Sequence, residues 1–206
     1  MISAVVLAAG ASSRMGTPKP LLDFDGRTCL DLVVTACLDG GAGEAVVVVG
    51  FGATAVRAAI EGRERVRVVL NPHPERGQTS SLKAGLSAVP AGAAGFFVLP
   101  ADHPLLRGRD VAILRERFQV RAPGKSIIIP SFGGRRGHPV LMAIAHREPL
   151  LGTEDDAPIR GYVRARDPEI DVVGAESAGV VTGINSPDEY VEALAEYRRR
   201  GRHSPP

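Results

Sequence analysis

From Leu7 the chain reads Ala8, Ala9, Gly10, Ala11, Ser12, Ser13 and Arg14, and after Met15-Gly16-Thr17-Pro18 comes Lys19. Side chains this small keep nothing away from the backbone. Successive N–H groups can therefore turn inward as an anion nest while Arg14 and Lys19 supply charge. The chemistry this suits is the grip of a polyphosphate. Residues 2–7 just before it are apolar throughout, as in a strand covered on both faces of a parallel sheet, and open α/β sheets bind ligands beyond the carboxyl ends of such strands. A P-loop is excluded, because it needs four residues between its glycines and a Lys directly after the second. Here five residues separate Gly10 from Gly16, and Thr17-Pro18 precede Lys19. The plain alternative for such a loop is a solvated turn.

Two further blocks carry suitable groups. Asn71-Pro72-His73-Pro74-Glu75-Arg76-Gly77 ends a strand in a proline-rich loop, and Gly77 lets the chain turn into a helix beginning Gln78, Thr79, Ser80, Ser81. Free N–H groups and hydroxyls at a helix start suit a base edge, a ribose or a phosphate, while Thr79 or Ser80 capping its own helix is the alternative. Phe96-Phe97-Val98-Leu99-Pro100-Ala101-Asp102 puts a carboxylate at the carboxyl end of a central strand, where an isolated Asp can equally be a helix cap.

The run from Leu7 to Leu22 resembles the LAAGxSxRMGxxKxLL signature of the MobA-like nucleotidyltransferases, and among them most closely the molybdenum cofactor cytidylyltransferases. The second block resembles the family's NP…GQ[ST]SSL segment, and Pro100-Ala101-Asp102-His103-Pro104 its PADxP motif. Gly137-His138-Pro139-Val140-Leu141 resembles GHPVL, and Gly183-Ile184-Asn185-Ser186-Pro187-Asp188 the closing D-[IV]-[DN]-[ST]-P-[ED]. The resemblance implies that Leu7 to Arg14, Lys19, Asn71, Gln78, Thr79, Ser80 and Asp102 bind the nucleotide, with Arg14, Lys19 and Asp102 catalytic. It also implies that Asp102 and Asn185 hold Mg²⁺, which takes oxygen ligands and arrives with substrate phosphates. His103 and His138 fall near the acceptor; packing or capping is the alternative for His103, and a satisfied structural histidine for His138. Gly183 stands where the family often has an acid. Ala9 resembles the CTP-preferring version of the loop, whose GTP-using counterparts carry glycine.

The elements that must position these groups alternate as βαβ units, so the expected fold is a single-domain, three-layer α/β/α, Rossmann-like and mostly parallel sheet of the nucleotide-diphospho-sugar transferase type. Strands are expected over 2–7, 45–49, 66–70, 96–99 and 126–130. Helices are expected near 28–38, 53–61, 78–88, 109–120, 146–151 and 187–200. The turn 133–137 and a short strand over 139–142 read as an antiparallel hairpin over one end of the sheet, and 152–179 shows no clear pattern. Gly50-Phe51-Gly52-Ala53-Thr54-Ala55 matches the dinucleotide fingerprint by letter. The next strand, however, ends in Asn71 rather than an acid that could hold ribose hydroxyls, so a plain βα turn is the expectation.

The 206 residues suit one domain over 1–200 with a basic flexible tail over 201–206. With 44% hydrophobic and 23% charged residues, neither extensive disorder nor a membrane protein is indicated. A formal net charge of +2 is too small to argue for nucleic-acid binding. Cys29 and Cys37 lie ~12 Å apart on one expected helix, beyond disulfide reach, as suits a cytoplasmic protein. The resemblance thus implies transfer of a nucleoside monophosphate, CMP foremost, from a triphosphate to a phosphate-bearing acceptor with release of pyrophosphate. Molybdopterin or the molybdenum cofactor is the implied acceptor, with a molybdenum enzyme or chaperone as partner. Residues 152–166 lack the Gly-Asp…Gly-Ala-Arg segment common in the cofactor enzymes, which keeps a sugar-1-phosphate or other small phosphate compound as the alternative. An NAD(P)-dependent oxidoreductase and a nucleotide-binding accessory protein are alternatives of other classes.

Overall fold

The computed structural model describes residues 1–12 and 15–201. Strands β1 (Ile2–Ala8), β4 (Glu44–Val49), β5 (Val66–Leu70) and β6 (Gly95–Pro100) are parallel neighbours in the order β6-β1-β4-β5. On the far side of β6 lie β9 (Val140–Ala143), β7 (Ile127–Phe132) and the edge strand β10 (Ile170–Gly174); β8 (Arg135–Arg136) pairs only with β7. Strand β9 runs antiparallel to both β6 and β7. The expected mostly parallel α/β sheet is therefore observed, with one difference. The strand after the 133–137 turn does not lie over an end of the sheet but is inserted at its middle, where all four of its residues are buried.

Alternation along β1 divides the core into two layers, as the two-residue period of a strand requires. Ala4, Val6 and Ala8 pack with α1 (Cys29–Asp39), α2 (Ala53–Ala58) and α4 (Gly108–Gln119). Val5 and Leu7 pack with α3 (Gln78–Ala88), α5 (Arg147–Leu151) and α6 (Ile159–Arg164). A third cluster joins α1 to the hairpin of β2 (Asp23–Phe24) and β3 (Arg27–Thr28) and to α7 (Pro187–Gly201). There Tyr190 and Tyr197 meet Phe24 edge-on at 5.6 and 5.5 Å. Both cysteines are free and buried in α1, and burial pushes the Cys37 thiol up to about 12. No helix among the described residues is long and apolar enough to cross a membrane. Gly201 closes α7, and the rest of the expected basic tail lies outside the described residues.

The register brings four strand ends into line, with Pro100 beside Leu7, Ala8 beside Val49 and Val49 beside Leu70. The loops after β6, β1, β4 and β5 thus leave the same edge of the sheet. The order reverses between β1 and β6, the switch point at which open α/β sheets form a crevice.

Helix α3 reaches this edge because Gly85 lets it approach closely. A Cβ at position 85 would stand 2.5 Å from Val5 Cγ1 and 2.8 Å from Val48 Cγ2, both on stiff β-branched side chains in central strands. Gly85→Val is expected to cost about 1–3 kcal/mol through overpacking and to lower the midpoint of thermal unfolding by roughly 2–12 °C. An unchanged midpoint in a melting scan would mean that α3 is not held against the sheet as described.

Candidate active site

The loop after β1 lays Ala8, Ala9, Gly10, Ala11 and Ser12 along a cleft of about 440 Å³. Ser12 takes φ +50°, in the left-handed region, and its hydroxyl accepts the Lys19 backbone N–H at 2.9 Å. That bond fixes the start of a short 3₁₀ turn, Lys19–Leu21, and so the root of the Lys19 side chain. Ser13 and Arg14, both assigned to the phosphate cradle from the sequence, lie outside the described residues.

Lys19 joins the separate parts of the site. Its Nζ donates to Asp102 Oδ2 at 3.1 Å and to Asn185 Oδ1 at 2.9 Å. Asp102 follows β6, with its other oxygen, Oδ1, 2.9 Å from His103 Nδ1. Burial opposes charge on this carboxyl, yet the His103 hydrogen bond and the Lys19 ammonium outweigh it and hold Asp102 below the usual carboxylate range. The Asn185 loop is tied to the same strand end by Ile184, whose N–H donates to the Asp102 carbonyl at 3.0 Å and whose side chain is buried in the α7 cluster.

The geometry also accounts for Gly183. A Cβ there would stand 2.9 Å from His103 Cε1 and 3.4 Å from Asp102 Oδ1, so the His103 imidazole fills the space an acid would need. His103 is buried against His138, with ring centroids 5.2 Å apart and the planes nearly perpendicular. Burial, with the neighbouring His103, pushes His138 down to about 4, and its buried Nδ1 has no partner among the described residues. Near neutral pH His138 is therefore an uncharged ring packed behind Asp102.

The second block divides into two sets. Asn71, only 3% exposed, donates Nδ2 to Ser80 Oγ and Ser81 Oγ, each at 2.9 Å, and accepts the His73 N–H at 2.9 Å. The Ser80 hydroxyl lies 2.8 Å from the Gly77 carbonyl, and Thr79 donates to the Ala157 carbonyl. Asn71, Thr79 and Ser80 thus brace the loop from behind. Gly77, Gln78 and Ser81 line the cleft, joined by Phe51, Pro74 and Glu75, which sequence reasoning did not place there. Gln78 and Ser81 are three apart on one helix face, so helical periodicity is the signal that separates them from Thr79 and Ser80.

Asp102 and Asn185 offer hard oxygens converging on one point, now taken by the Lys19 ammonium, which is a donor set and a location that fit a divalent cation such as Mg²⁺. Among the described residues no group of three or more His, Cys, Asp and Glu could hold a metal unaided, so further oxygens must come from substrate or water.

A crevice at the switch point of an α/β sheet, with an amide-rich loop, a lysine and a strand-end carboxylate, defines a nucleotide-handling enzyme of the α/β class. Residues 4–170 match the family model of the MobA-like NTP transferase domain; the chain belongs to this family and is a nucleotidyltransferase. It is 26% identical over 196 residues to the molybdenum cofactor cytidylyltransferase of Escherichia coli, covering 95% of this chain and 97% of that one. It is 32% identical over 201 residues to nicotine blue oxidoreductase of Paenarthrobacter nicotinovorans, covering 94% and 96%. A bifunctional GlmU protein of Sorangium cellulosum is 36% identical over 121 residues, and this chain spans only 25% of its length. A nucleotidyl transferase from Methanothermobacter superposes with a TM-score of 0.82 at 28% identity, covering 97% of this chain and 99% of that one. A Mycobacterium tuberculosis protein solved in complex with manganese gives a TM-score of 0.76 at 23% identity, covering 94% and 98%.

Asn71→Ala removes the donor that serves two buried hydroxyls and the acceptor of the His73 N–H. It is expected to cost roughly 1–3 kcal/mol of stability, read from denaturant unfolding. Unchanged stability with abolished nucleotide binding would instead put Asn71 in direct contact with the ligand.

Proposed function

We propose that the protein transfers a nucleoside monophosphate, CMP foremost, from a nucleoside triphosphate with Mg²⁺ to a small phosphate-bearing acceptor. The observation that carries this reading is the convergence of Lys19, Asp102 and Asn185 beside the amide-rich loop from Ala8 to Ser12. A phosphate oxygen of the acceptor attacks the α-phosphorus in line. The bond to the α–β bridging oxygen breaks, and its electron pair leaves with pyrophosphate. No protein nucleophile is needed, because phosphoryl-type transfers run on positioning and charge neutralisation. Bound at Asp102 and Asn185, Mg²⁺ would supply charge neutralisation and orientation of the phosphate oxygens. The loop amides hold the phosphate tail, and Lys19, released from one of its two oxygen partners, turns its ammonium onto the phosphates. Arg14 adds a second cation to the cradle. His103 fixes Asp102 through its Oδ1 and, with His138, is assigned to the side on which the acceptor enters.

Molybdopterin is the first acceptor to test, since the chain is nearly coextensive with the Escherichia coli cytidylyltransferase. A second reading, NAD(P)-dependent redox chemistry, is favoured only by the likeness to nicotine blue oxidoreductase. Its one sequence feature, the 50–55 turn, opens a helix of just six residues.

A ligand at a hundredfold excess over its Kd stabilises the native state by about 2.7 kcal/mol. CTP with Mg²⁺ is therefore expected to raise the unfolding midpoint by roughly 5–10 °C and CTP alone by less. Asp102→Ala should abolish the Mg²⁺-dependent increment and lower pyrophosphate release by roughly two orders of magnitude or more while the protein stays folded. Stabilisation by NADPH and by no nucleoside triphosphate would overturn the transferase reading for this cleft.

A further inference from the structure

A second cavity, of about 1020 Å³, shares no lining residue with the cleft beside Lys19. Its floor is apolar: Leu32 and Ala36 of α1 meet Leu105 and Leu106, which follow β6, and all four are buried. Its rim is cationic. Arg27 comes from the β2–β3 hairpin, Arg107 from the residue before α4, and Arg198 and Arg200 from the last turn of α7, against two lining acids, Asp25 and Asp39. The carboxylates at hand fall short of these guanidiniums. Asp25 is taken up by Arg198 at 2.6 Å, Arg27 shares Asp31 with Arg63, and Arg200 shares Glu196 with Arg199. Asp39 is exposed at the end of α1, and the Arg107 side chain makes no ion pair among the described residues.

Two observations bring Arg107 and Arg200 to one place. Both guanidiniums lie close enough to the buried Asp110 carboxyl to favour its charged form, and Arg200 Nη1 donates at 2.8 Å to the carbonyl of Leu105, two residues before Arg107. Guanidinium forks match the oxygens of carboxylates and phosphates. Forks reaching in from separate elements suit a tetrahedral anion, which offers oxygens in several directions, better than a planar one. The volume and the apolar floor leave room for more than the anion itself. We propose that this cavity is a second ligand site, which binds a small phosphate monoester with its phosphate between Arg107 and Arg200 and its apolar body on Leu32, Leu105 and Leu106. The site stands whether or not the cleft transfers a nucleotide. Its walls nevertheless continue the segments that carry Asp102 and Asn185: residues 104–108 begin two positions beyond Asp102, and α7, which ends at the cavity, begins two positions beyond Asn185.

The test titrates phenyl phosphate and inorganic phosphate into the protein by calorimetry, without nucleotide or metal. Wild type is expected to bind phenyl phosphate severalfold more tightly than inorganic phosphate, because only the ester covers the apolar floor. Arg107→Glu and Arg200→Gln should each weaken phenyl phosphate by about tenfold or more, with Arg107→Lys in between. Lys19→Ala, which alters the cleft alone, should leave that affinity unchanged. Arg107 is exposed, so its substitution leaves the fold intact and keeps the test decisive even where Arg200→Gln lowers stability. Phenyl phosphate that does not bind wild type, that binds the Arg107→Glu variant as tightly as wild type, or that is lost in Lys19→Ala would overturn the second site. Equal affinities for phenyl phosphate and inorganic phosphate would overturn the assignment of a monoester with an apolar body.

Discussion

A single ammonium, that of Lys19, ties three distant parts of the chain together by donating to Asp102 after β6 and to Asn185 before α7. Partly buried charges of this kind are costly unless paired, and here each is paired with another group of the site. The arrangement holds the oxygens of Asp102 and Asn185 at one point before any substrate arrives. It also keeps a cation at that point, so that in the proposed reaction the arrival of a metal with its triphosphate would exchange one positive charge for another instead of creating a new one. In the free protein Asp102 is held in its ionised form, because His103 and Lys19 offset the burial that would otherwise favour its protonation.

Much of the fold serves this convergence. Register across β6, β1, β4 and β5 aligns the strand ends, and the small residues Ala8, Ala9 and Gly10 let the first loop lie close to the cleft. Gly85 seats α3, whose first turn presents Gln78 and Ser81, while Asn71 locks the approach loop from behind. The α7 cluster buries Ile184, which delivers Asn185 from the far end of the chain. Gly183 and His103 are one structural choice, since the imidazole uses the volume a side chain at 183 would need.

Strands β1, β4 and β6 were legible because they are buried and run largely apolar, and the edge strand β5 because its valines stand out around Arg67; α3 was legible to its ends, with Gly77 before it and polar residues opening it. The edge strand β10 was not, since Ile170–Gly174 is half exposed and carries Asp171. Two-residue β2 and β3 and six-residue α6 are too short to leave a period. The place of β9 depends on pairing with β6, a contact distant in sequence that no local pattern encodes. At the site, Lys19, Asp102 and Asn185 could be named from their motifs, but their mutual contact is a tertiary fact. Phe51 and Glu75 escaped notice because one sits in a turn that imitates another motif and the other in a proline-rich loop without periodicity.

In the proposed function, the point between Asp102 and Asn185 is a cation site shared between Lys19 and a substrate-borne metal. Anomalous diffraction from crystals grown with CTP and Mn²⁺ tests it most directly. The expected result is a manganese peak within about 2–2.5 Å of an Asp102 oxygen, with Asn185 in or beside the coordination sphere and Lys19 Nζ moved onto the phosphates. Nucleotide bound in the cleft with manganese elsewhere, and Lys19 still joined to both oxygens, would contradict it.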